Sequence, residues 1–504
     1  MATPIVDIQG LHVAFSGKEV VHDFNLTIHP GEIVSVVGES GSGKSVSALL
    51  SMGLLSPNAE VKAAKALFQG QELLHFSSSD WAQLRSTSVS MVFQDPMTAL
   101  HPTKRIGTQL SEVLQEHTAL SATEIRARIT QALEEVEVPE PAVSLEKYPF
   151  QMSGGQRQRV VIAMAMLLQP ALIIADEPTT ALDKEVEGKV LDLLRRLVTK
   201  RGTALWLISH DLELVADFSD RVLVLFRGTT VEQGPAKEIF TAAKHPYTQG
   251  LLGCRPPKEG RPYPLPVLDD FLEEKERLQT ELATPVQENP VLEIRNLKIA
   301  FAQSKGWSTA EKTVVEGFDM TLFKGETLGL IGPSGSGKST IGRAIVALVE
   351  TSNGSINYTC EKHKVSFVFQ DPFSALNGAK TIGSILGAVL KKHHASLGSK
   401  ERAEKAAALL EEVGLSREDL KKKPAAFSGG QRQRIGIARA LAVAPEILIC
   451  DESVSALDVS VQSQVLNLLN EIKLSRGLSM IFISHDPDVV RYMCDRIITL
   501  TPII

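Results

Sequence analysis

The sequence is poor in cysteine, in aromatic residues and in long apolar runs. Only 4 of its 504 residues are cysteine, without a CxxC pair or metal-ligand spacing, and aromatic residues make up 5%. This usage predicts reduced thiols packed as small hydrophobic side chains. The most apolar stretch, Val160–Leu168, has nine residues, about half of the roughly 18 that a membrane-spanning helix needs. The N-terminus shows no signal-peptide pattern, so we expect a chain that does not cross a membrane.

An excess of positive charge is also absent. The 53 basic and 59 acidic residues leave a net charge of −6, which argues against a surface that holds nucleic acid by bulk charge. Any phosphate chemistry must therefore be local. The length of 504 residues predicts two or more domains, and 43% hydrophobic and 22% charged residues are typical of globular proteins.

What the sequence does contain is a duplication. Six landmarks occur twice in the same order: GESGSGKS and GPSGSGKS, VFQDP, SGGQRQR, LIIADE and LICDE, TALD and SALD, and ISHD. Lys44 and Lys338 are 294 residues apart and Gln94 and Gln370 are 276 apart, whereas the later pairs recur after 275 residues. The second copy is therefore 18 residues shorter between its first two landmarks, and we expect reduced peripheral strands there.

The pattern of apolar runs predicts the fold class and the domain boundaries. Short continuous apolar runs such as Ile33–Val37 and Leu328–Ile331 alternate with helical segments such as Lys184–Val198. Such strands are typical of a mainly parallel sheet buried on both faces, so each copy is predicted to be α/β. We predict a first domain at 1–254, a linker at 255–290 and a second domain at 291–504. Prolines and a charge cluster indicate the linker, with one short helix at Leu272–Leu282.

GESGSGKS has the context that a phosphate-binding loop requires. It fits GxxxxGK[ST], follows a predicted strand and precedes a predicted helix. Its glycines let backbone N–H groups turn toward phosphates, and the helix N-terminus adds positive potential. Lys44 would reach the β- and γ-phosphates and the Ser45 hydroxyl would hold Mg²⁺, and Lys338 and Ser339 repeat these roles. For one copy alone, a plain Gly/Ser-rich turn is the alternative.

Two adjacent acids end a predicted strand in each copy. Asp176 and Glu177 point to different sides of the strand end, so the aspartate can face a metal while the glutamate acts as general base on water. Asp451 and Glu452 repeat the pair. Taken alone such a pair is more often a helix N-cap, but the phosphate loop upstream reverses that preference.

An amide and an imidazole accompany these acids. Gln94 and Gln370 can coordinate a metal or position a water, or serve only turn chemistry before Asp-Pro. His210 and His485 each follow a predicted strand, 34 residues beyond the aspartates. This equal spacing at the carboxyl end of a strand favours a catalytic role over a structural one.

The segment SGGQRQR occupies Ser153–Arg159 and Ser428–Arg434. Its two glycines are predicted to form a tight turn that exposes N–H groups before a helix. Arginine near a helix start is unfavourable by about 0.3–1 kcal/mol because the helix dipole is positive there. Arg157 and Arg159 have no acid nearby in the sequence, so we expect an anion at this terminus to offset their cost.

In this order the motifs resemble the nucleotide-binding domains of ATP-binding-cassette (ABC) transporters, twice and over nearly the whole chain. The resemblance implies two P-loop NTPase cassettes, each with a mainly parallel sheet, a peripheral antiparallel β subdomain and a helical subdomain. It also implies a head-to-tail pairing, in which each ATP lies between the phosphate loop of one cassette and the SGGQ segment of the other.

The residues of the two implied sites follow from matching the motifs. The first site would contain Phe15 (stacked on adenine), Gly38, Ser40, Gly41, Ser42, Gly43, Lys44, Ser45, Gln94, Asp176, Glu177 and His210, completed by Ser428, Gly429, Gly430 and Gln431. The second would contain Phe301 (a poorer match), Gly332, Ser334, Gly335, Ser336, Gly337, Lys338, Ser339, Thr340, Gln370, Asp451, Glu452 and His485, completed by Ser153, Gly154, Gly155 and Gln156. The implied catalytic residues are Glu177, His210, Glu452 and His485; the implied Mg²⁺ ligands are Ser45, Gln94, Asp176, Ser339, Gln370 and Asp451. Asp183 and Asp458 match the cross-interface aspartates of the family.

Three segments resemble one branch of the family. QDPMTALHP, its counterpart DPFSALN, and HPYT at His245–Thr248 resemble the dipeptide/oligopeptide/nickel importers in fused form. The resemblance implies an ATPase that powers import through a separate transmembrane permease pair, docked around Gln94 and Gln370, with a solute-binding protein as an indirect partner. It implies ATP and Mg²⁺ as cofactors, no nucleic acid, and a peripheral place on the cytoplasmic face of the inner membrane.

Two other functions stay open at this point. One is a twin-cassette ATPase that acts on ribosomes, although the proline-broken linker fits poorly with the long charged arm expected there. The other is a chain that binds ATP as a switch without turnover, against which the complete DE and His pairs argue. In addition, only 19 residues follow His485, whereas HPYT lies 35 residues beyond His210. We therefore expect the second copy to lack the closing segment of the family.

Overall fold

The computed structural model describes residues 3–94, 96–179, 184–284, 288–305, 308–333, 335–361, 364–371, 375–455 and 457–501. The chain divides into two compact units, Met1–Gly253 and Cys254–Ile504. Each unit contains one copy of the repeat. The predicted domain boundaries at 254 and 290 stay a prediction.

The first unit is built from two sheets and the helices that cover them. Among the described residues its strands are β1 (Val6–Phe15), β2 (Lys18–Ile28), β3 (Ile33–Val37), β4 (Ala59–Lys62), β5 (Lys65–Phe68), β6 (Gln71–Glu72), β7 (Val89–Val92), β8 (Leu172–Asp176), β9 (Ala204–Ser209), β10 (Arg221–Phe226) and β11 (Thr229–Pro235). Its α-helices are α1 (Lys44–Leu50), α2 (Ser78–Thr87), α3 (Pro96–Ala99), α4 (Ile106–His117), α5 (Ala122–Glu135), α6 (Pro141–Ser144), α7 (Gly154–Met166), α8 (Lys184–Arg201), α9 (Leu212–Phe218), α10 (Ala236–Thr241) and α11 (Pro246–Gly253).

The central sheet of the first unit is mainly parallel. Its order is β11-β10-β3-β9-β8-β7, and only β11 runs antiparallel to its neighbour. Every residue of β3 and β9 is buried, as expected for strands that are covered on both faces. The predicted α/β class and the predicted strand at Ile33–Val37 are confirmed. All the parallel strands end at one edge, where the side chains of the candidate site gather.

The second sheet of the first unit is antiparallel and packs against one face of the parallel sheet. Its order is β2-β1-β5-β6, with β4 also paired to β1. Phe24 of this sheet stacks on Trp206 of β9, with ring centroids 6.2 Å apart, and both side chains belong to one apolar cluster between the sheets. This sheet is the peripheral β subdomain that the family resemblance implies.

The second unit repeats this plan in a reduced form. Among the described residues its strands are β12 (Pro262–Tyr263), β13 (Thr280–Glu281), β14 (Pro290–Lys305), β15 (Ser308–Phe323), β16 (Thr327–Ile331), β17 (Asn353–Tyr358), β18 (Val365–Val368), β19 (Ile447–Asp451), β20 (Ser479–Ile483) and β21 (Arg496–Thr499). Its α-helices are α12 (Leu268–Leu272), α13 (Lys338–Ile345), α14 (Ile382–His393), α15 (Ser399–Glu412), α16 (Gly429–Leu441), α17 (Val459–Arg476) and α18 (Pro487–Met493). The parallel sheet has the order β18-β19-β20-β16-β21, and the antiparallel sheet β15-β14-β17 has three strands instead of five. The expected reduction of the peripheral strands is confirmed in the part of the chain that is described.

The segment that follows the first unit packs against the second one. The N–H of Leu265 donates to Asn467 Oδ1 at 2.7 Å, and Asn467 Nδ2 donates to the Leu265 carbonyl at 2.9 Å. Arg261 lies 2.6 Å from a carboxylate oxygen of Asp495, whose side chain is fully buried. Leu265 itself joins the apolar core of the second unit. This part of the predicted linker is therefore anchored by specific contacts.

The helix predicted at 272–282 is wrong. The helix in this region is α12, which ends at Leu272, where the predicted one begins. Leu278 is 97% exposed, and Leu282 packs against the core of the second unit from outside any helix, so this charged stretch presents no continuous apolar face of a helix. Without burial, little offsets the entropy that is lost when a helix forms.

Two predictions from composition can be compared with the structure. The four cysteines are free thiols, with Cys254, Cys450 and Cys494 buried, which confirms that they pack as small apolar groups. None of the helices within the described ranges combines the length and the apolarity needed to span a bilayer.

Candidate nucleotide site

The two GxxxxGKS segments form loops of the same shape. Each connects a parallel strand to a helix, β3 to α1 and β16 to α13. Gly38 and Gly332 begin the loops with φ angles of 149° and 151°. A Cβ atom at these positions would lie 2.1 Å from the Leu225 carbonyl oxygen or 2.5 Å from that of Leu500. Only glycine fits there, because both the φ angle and the close backbone exclude a side chain.

The lysines and serines of the loops face inward. Lys44 Nζ donates to the carbonyl oxygens of the first two loop residues at 2.7 and 2.8 Å, and Lys338 does the same at 2.7 and 2.9 Å. The hydroxyls of Ser42 and Ser336 are buried and have no hydrogen-bond partner in the described structure. Buried donors of this kind, beside a held ammonium group, suit a polyanionic ligand.

A serine and an aspartate form the part of each site that suits Mg²⁺. Ser339 Oγ donates to Asp451 Oδ1 at 2.7 Å, and Ser45 hydrogen-bonds to Asp176 in the same way. Burial raises the pKa of both aspartates above its usual value. Asp451 Oδ2 is buried without a partner within the described ranges, which is costly unless a cation balances it. Hard oxygen donors are the ligands that Mg²⁺ prefers, so these residues fit the ion.

The glutamate of the first unit is held by two side chains. Gln94 Nε2 donates to Glu177 Oε2 at 2.8 Å, and His210 Nδ1 lies 3.3 Å from the same oxygen. The three residues follow β7, β8 and β9 at the carboxyl edge of the sheet. The predicted catalytic glutamate and histidine of this unit are therefore in contact.

The second unit repeats the contact around Glu452. Gln370 Nε2 donates to Glu452 Oε2, and His485 Nδ1 lies 3.6 Å from Oε1. The interaction with the nearby His485 outweighs the effect of burial and holds the pKa of Glu452 below its usual value. The side chain is thus an ionised acceptor at neutral pH, as a general base for water must be.

Both glutamates have a strained backbone. Glu177 and Glu452 each adopt a φ of 45°, a left-handed conformation that non-glycine residues rarely take. Their N–H groups donate to the carbonyls of Ile208 at 2.9 Å and Ile483 at 2.8 Å. Such strain costs about 1–3 kcal/mol and is concentrated at functional sites. The sequence carried no signal for this conformation.

The SGGQ segments are helix starts, so the predicted tight turn is wrong. Gly154 and Gly429 are the first residues of α7 and α16. Ser153 Oγ accepts from the N–H of Gln156, whose side chain accepts from the N–H of Ser153 in return. The second copy has the same capping box. The serine and the glutamine thus shape the helix terminus.

The second glycine of SGGQ is required by helix packing. A Cβ atom at Gly155 would lie 2.6 Å from Val186 Cγ1, and one at Gly430 would lie 2.2 Å from Val461 Cγ1. Around Gly429, in contrast, no atom lies within 4 Å of such a Cβ. The conformational freedom of glycine is therefore not the reason for Gly155 and Gly430; the close approach of the following helix is.

In the first unit both arginines of SGGQRQR have partners within the fold. Arg157 Nε donates to the Pro149 carbonyl at 2.7 Å, and Arg159 Nη1 lies 3.0 Å from a carboxylate oxygen of Glu137. The acid that is missing from the local sequence is supplied by the fold. The premise that no acid lies near these arginines is therefore corrected, whereas an anion at this helix start stays a prediction.

Phe15 and Phe301 lie at equivalent positions of their sheets. Val21 and Val315 contact the equivalent loop glycines Gly43 and Gly337, and they pair with Val13 and Ile299 two residues before each phenylalanine. Phe15 pairs with Lys18, and Phe301 with Lys312. The longer spacing before Lys338 is thus a longer hairpin between β14 and β15. Phe301 is 44% exposed, and its role in stacking on adenine stays a prediction.

A groove runs beside Gln94 in the first unit. It is lined mainly by apolar side chains, among them Leu54, Phe93 and Met164, of which Phe93 is 43% exposed. In the second unit Arg439 occupies the position of Met164. Its guanidinium lies over the Phe369 ring, 5.5 Å from the centroid, and donates to the Ala375 carbonyl. The two units therefore present different surfaces beside their glutamines.

The structure gathers the predicted residues of each unit, with some exceptions. Asp183 and Ser334 lie outside the described residues. The pairing of one unit's phosphate loop with the other unit's SGGQ stays a prediction, as do the roles of Asp458 and Thr340. Sequence reasoning missed the links from the glutamines to the glutamates.

Comparisons with known proteins point to one family. The family model described as "ABC transporter" matches residues 21–180 and 315–455. The chain is 40% identical over 98% of its length to the glutathione import ATP-binding protein GsiA of Escherichia coli O6:H1, of which it covers 84%. The GsiA of Salmonella typhi is similar to the same extent. Among solved structures, cbiO1 of Clostridium perfringens is 28% identical, with a TM-score of 0.43, over 47% of this chain and 91% of that one.

Proposed function

We propose that the chain, which belongs to the ABC transporter family and is an ABC-type ATPase, powers the import of a solute through a separate permease. The solute we propose is glutathione-like or another short peptide. The solute class comes from the relatives, which are glutathione import ATP-binding proteins. Accordingly we place the chain on the cytoplasmic face of the membrane, bound to permease subunits and without a span of its own.

One observation carries the proposal for ATP hydrolysis. In both units a phosphate-type loop, a serine–aspartate pair and a glutamate held by glutamine and histidine lie at one edge of a parallel sheet. A loop to hold phosphates, oxygen ligands for Mg²⁺ and an ionised base are the parts that nucleoside triphosphate hydrolysis needs.

The metal would be held by the hydroxyl and carboxylate groups of each unit. Ser45 and Asp176 in the first unit, and Ser339 and Asp451 in the second, are the ligands we propose, with Gln94 and Gln370 adjacent. When bound, Mg²⁺ neutralises the charge that develops on the phosphate oxygens. It would also balance the buried carboxylates of the two aspartates.

The remaining chemistry belongs to the glutamates. Glu177 and Glu452 would accept the proton of the attacking water. His210 and His485 hold these carboxylates in place, and Gln94 and Gln370 fix the carboxylate oxygen from the other side. Lys44 and Lys338 would exchange carbonyl oxygens of their own loops for phosphate oxygens.

We place the permease contact at the groove beside Gln94. Its exposed Phe93 and Leu54, 43% and 41% exposed, suit an apolar side chain of a cytoplasmic permease segment. Phe93 is bonded directly to Gln94, which holds the catalytic glutamate. A segment that docks in this groove can therefore affect the base through one residue.

The test is reconstitution of the chain with its permease in lipid vesicles. ATP-dependent uptake of a labelled glutathione or short peptide is the expected result. Changing Glu177→Gln together with Glu452→Gln should cut ATP turnover by at least about 10², the usual size of a general-base effect, while nucleotide binding persists.

Two outcomes would overturn the proposal. Hydrolysis that persists in the double variant would remove the glutamates from their role. Sedimentation of the chain with ribosomes, and none with permease-containing membranes, would favour the twin-cassette ATPase of translation. Phe93→Asp serves as the docking control: it should release the chain from permease vesicles and leave ATP binding intact.

A further inference from the structure

The HPYT segment is not a surface turn in the first unit. His245 precedes α11, and its ring nitrogen Nδ1 accepts the N–H of Tyr247 at 3.1 Å. Both carboxylate oxygens of Glu232, on β11, accept backbone N–H groups just before the helix, those of Lys244 at 2.9 Å and His245 at 3.2 Å. Pro246 occupies the first helical position, which its ring favours. The start of α11 is thus fixed from three sides.

This fixed helix buries Tyr247 completely. The Tyr247 ring stacks on Phe226, with centroids 4.1 Å apart and planes 27° apart. Phe226 is the last residue of β10, and two residues further on the N–H of Gly228 donates to the Ser42 carbonyl of the phosphate loop at 3.0 Å. Tyr247 therefore packs against the strand end that already contacts the loop.

The hydroxyl of Tyr247 reaches the phosphate loop itself. It accepts a hydrogen bond from the N–H of Glu39 at 3.0 Å. The carbonyl of Glu39 accepts from Lys44 Nζ at 2.8 Å. The backbone of this one residue is thus held at its N–H by the HPYT segment and at its carbonyl by the phosphate-binding lysine.

The second unit provides a built-in comparison. Pro333 stands where the first unit has Glu39, and proline has no N–H to donate. The loops otherwise agree closely: their three glycines have φ angles of 149°, 81° and 102° in one and 151°, 80° and 94° in the other. Proline fixes its own φ by its ring. The same loop shape is therefore stabilised by the hydrogen bond from Glu39 to Tyr247 in the first unit and by the pyrrolidine ring of Pro333 in the second.

We propose that Tyr247 is a positioning residue for the phosphate loop of the first unit, and that the HPYT segment couples the end of this unit to nucleotide affinity at Lys44. The inference rests on the proposed role of the loop. Removing the hydroxyl leaves the N–H of Glu39 without its acceptor, and the loop then samples shapes that bind phosphate less well.

The experiment isolates the first site by Lys338→Ala in the full chain. In that background Tyr247→Phe should raise the Kd and the KM for ATP about 2- to 10-fold, the worth of one hydrogen bond. The kcat at saturating ATP should change less than KM, because the glutamate and its partners are untouched. In the Lys44→Ala background, where only the second site remains, Tyr247→Phe should change neither value.

Glu39→Pro gives the decisive control, since the second unit tolerates proline in this loop. In the Glu39→Pro background, Tyr247→Phe should have no further effect on affinity. An equal additional loss there, or no loss in the Lys338→Ala background, would overturn the inference while the ATP site stands. If Lys44→Ala with Lys338→Ala leaves ATP binding intact, the proposed function falls, and the inference with it.

Discussion

The two units have the same residue types at their candidate sites, but the structure that surrounds these residues differs. In both units a glutamine and a histidine contact the carboxylate of the glutamate, and both glutamates have the same φ of 45°. The antiparallel sheet, in contrast, has five strands in one unit and three in the other. We infer that the arrangement of these side chains tolerates less variation than the peripheral sheet, because the proposed chemistry depends on precise positioning, whereas a peripheral sheet needs only to cover an apolar face.

The residues that surround the two candidate sites also differ. Beside Gln94 lies an apolar groove with Met164, whereas Arg439 covers the Phe369 ring in the second unit. Glu39 is held by Tyr247, and Pro333 needs no such bond. Two copies with equal chemistry can therefore differ in partner surface and in nucleotide affinity.

The largest effect should come from a change that tests whether each unit completes the other's site. Ser428→Arg places a bulky cation where the implied partner of the Lys44 site presents its serine. With the second site silenced by Glu452→Gln, this change should lower single-turnover ATP hydrolysis by about 10² or more, since loss of one stabilising donor already costs that much. With the first site silenced by Glu177→Gln, hydrolysis should be spared.

Ser428→Thr is the matched control, because threonine preserves the N-cap. If Ser428→Arg instead impaired only the site of Lys338, each unit would complete its own site, and the crossed pairing would be wrong.

A smaller effect should distinguish the two glycines of SGGQ. Gly430→Ala forces a Cβ to within 2.2 Å of Val461 and should destabilise the junction of α16 and α17 by about 1–3 kcal/mol. Faster hydrogen–deuterium exchange in these two helices of the full chain is the readout. Gly155→Ala should cost less, since its Cβ would lie 2.6 Å from Val186.

Gly429→Ala, in open space, is the control and should leave exchange unchanged. Val461→Ala should restore most of the stability that Gly430→Ala removes. Equal effects of alanine at Gly429 and Gly430 would contradict the packing explanation.

The smallest effect concerns stability and pH. Burial raises the pKa of Asp451 above its ordinary value of 3.8, so the folded state binds this proton more tightly than the unfolded state. Stability therefore falls as pH rises from the ordinary aspartate range through the raised pKa. Without Mg²⁺, Asp451→Asn should escape this loss and raise the unfolding temperature at pH 8 by about 2 °C or more, while it abolishes hydrolysis.

The gain should shrink as the pH is lowered toward the ordinary aspartate range, because the raised pKa favours protonation of the wild-type carboxyl there. Asp176→Asn offers the comparison in the first unit, where the side chain is less deeply buried, and its gain should be smaller. This account would be contradicted if Asp451→Asn raised the unfolding temperature less at pH 8 than at pH 4, each time compared with wild type at the same pH.

The duplication, the α/β class and the phosphate-loop, glutamate and histidine segments of each candidate site could be predicted from the sequence alone. Motif spacing sufficed for this, because the glycines, lysines and strand-end acids belong to short segments whose geometry is local. The parallel strands Ile33–Val37 and Leu172–Asp176 could be recognised because each is a short, mainly apolar run, interrupted only by Ser35 in the first and ending in Asp176 in the second.

Which of these groups contact one another depends on the tertiary structure. Arg159 contacts Glu137, which is 22 residues away in the sequence. Gln94 donates to Glu177 across 83 residues, and Tyr247 accepts from the N–H of Glu39 across 208 residues. Local sequence carries no information on such pairs, since the packing of strands and helices sets them. The role of Gly430 was hidden for the same reason. Its neighbour Val461 lies on α17, and β19 separates this helix from α16 in the sequence. The residue types of the candidate sites could be predicted from short sequence motifs, whereas the contacts that position these residues depend on long-range packing.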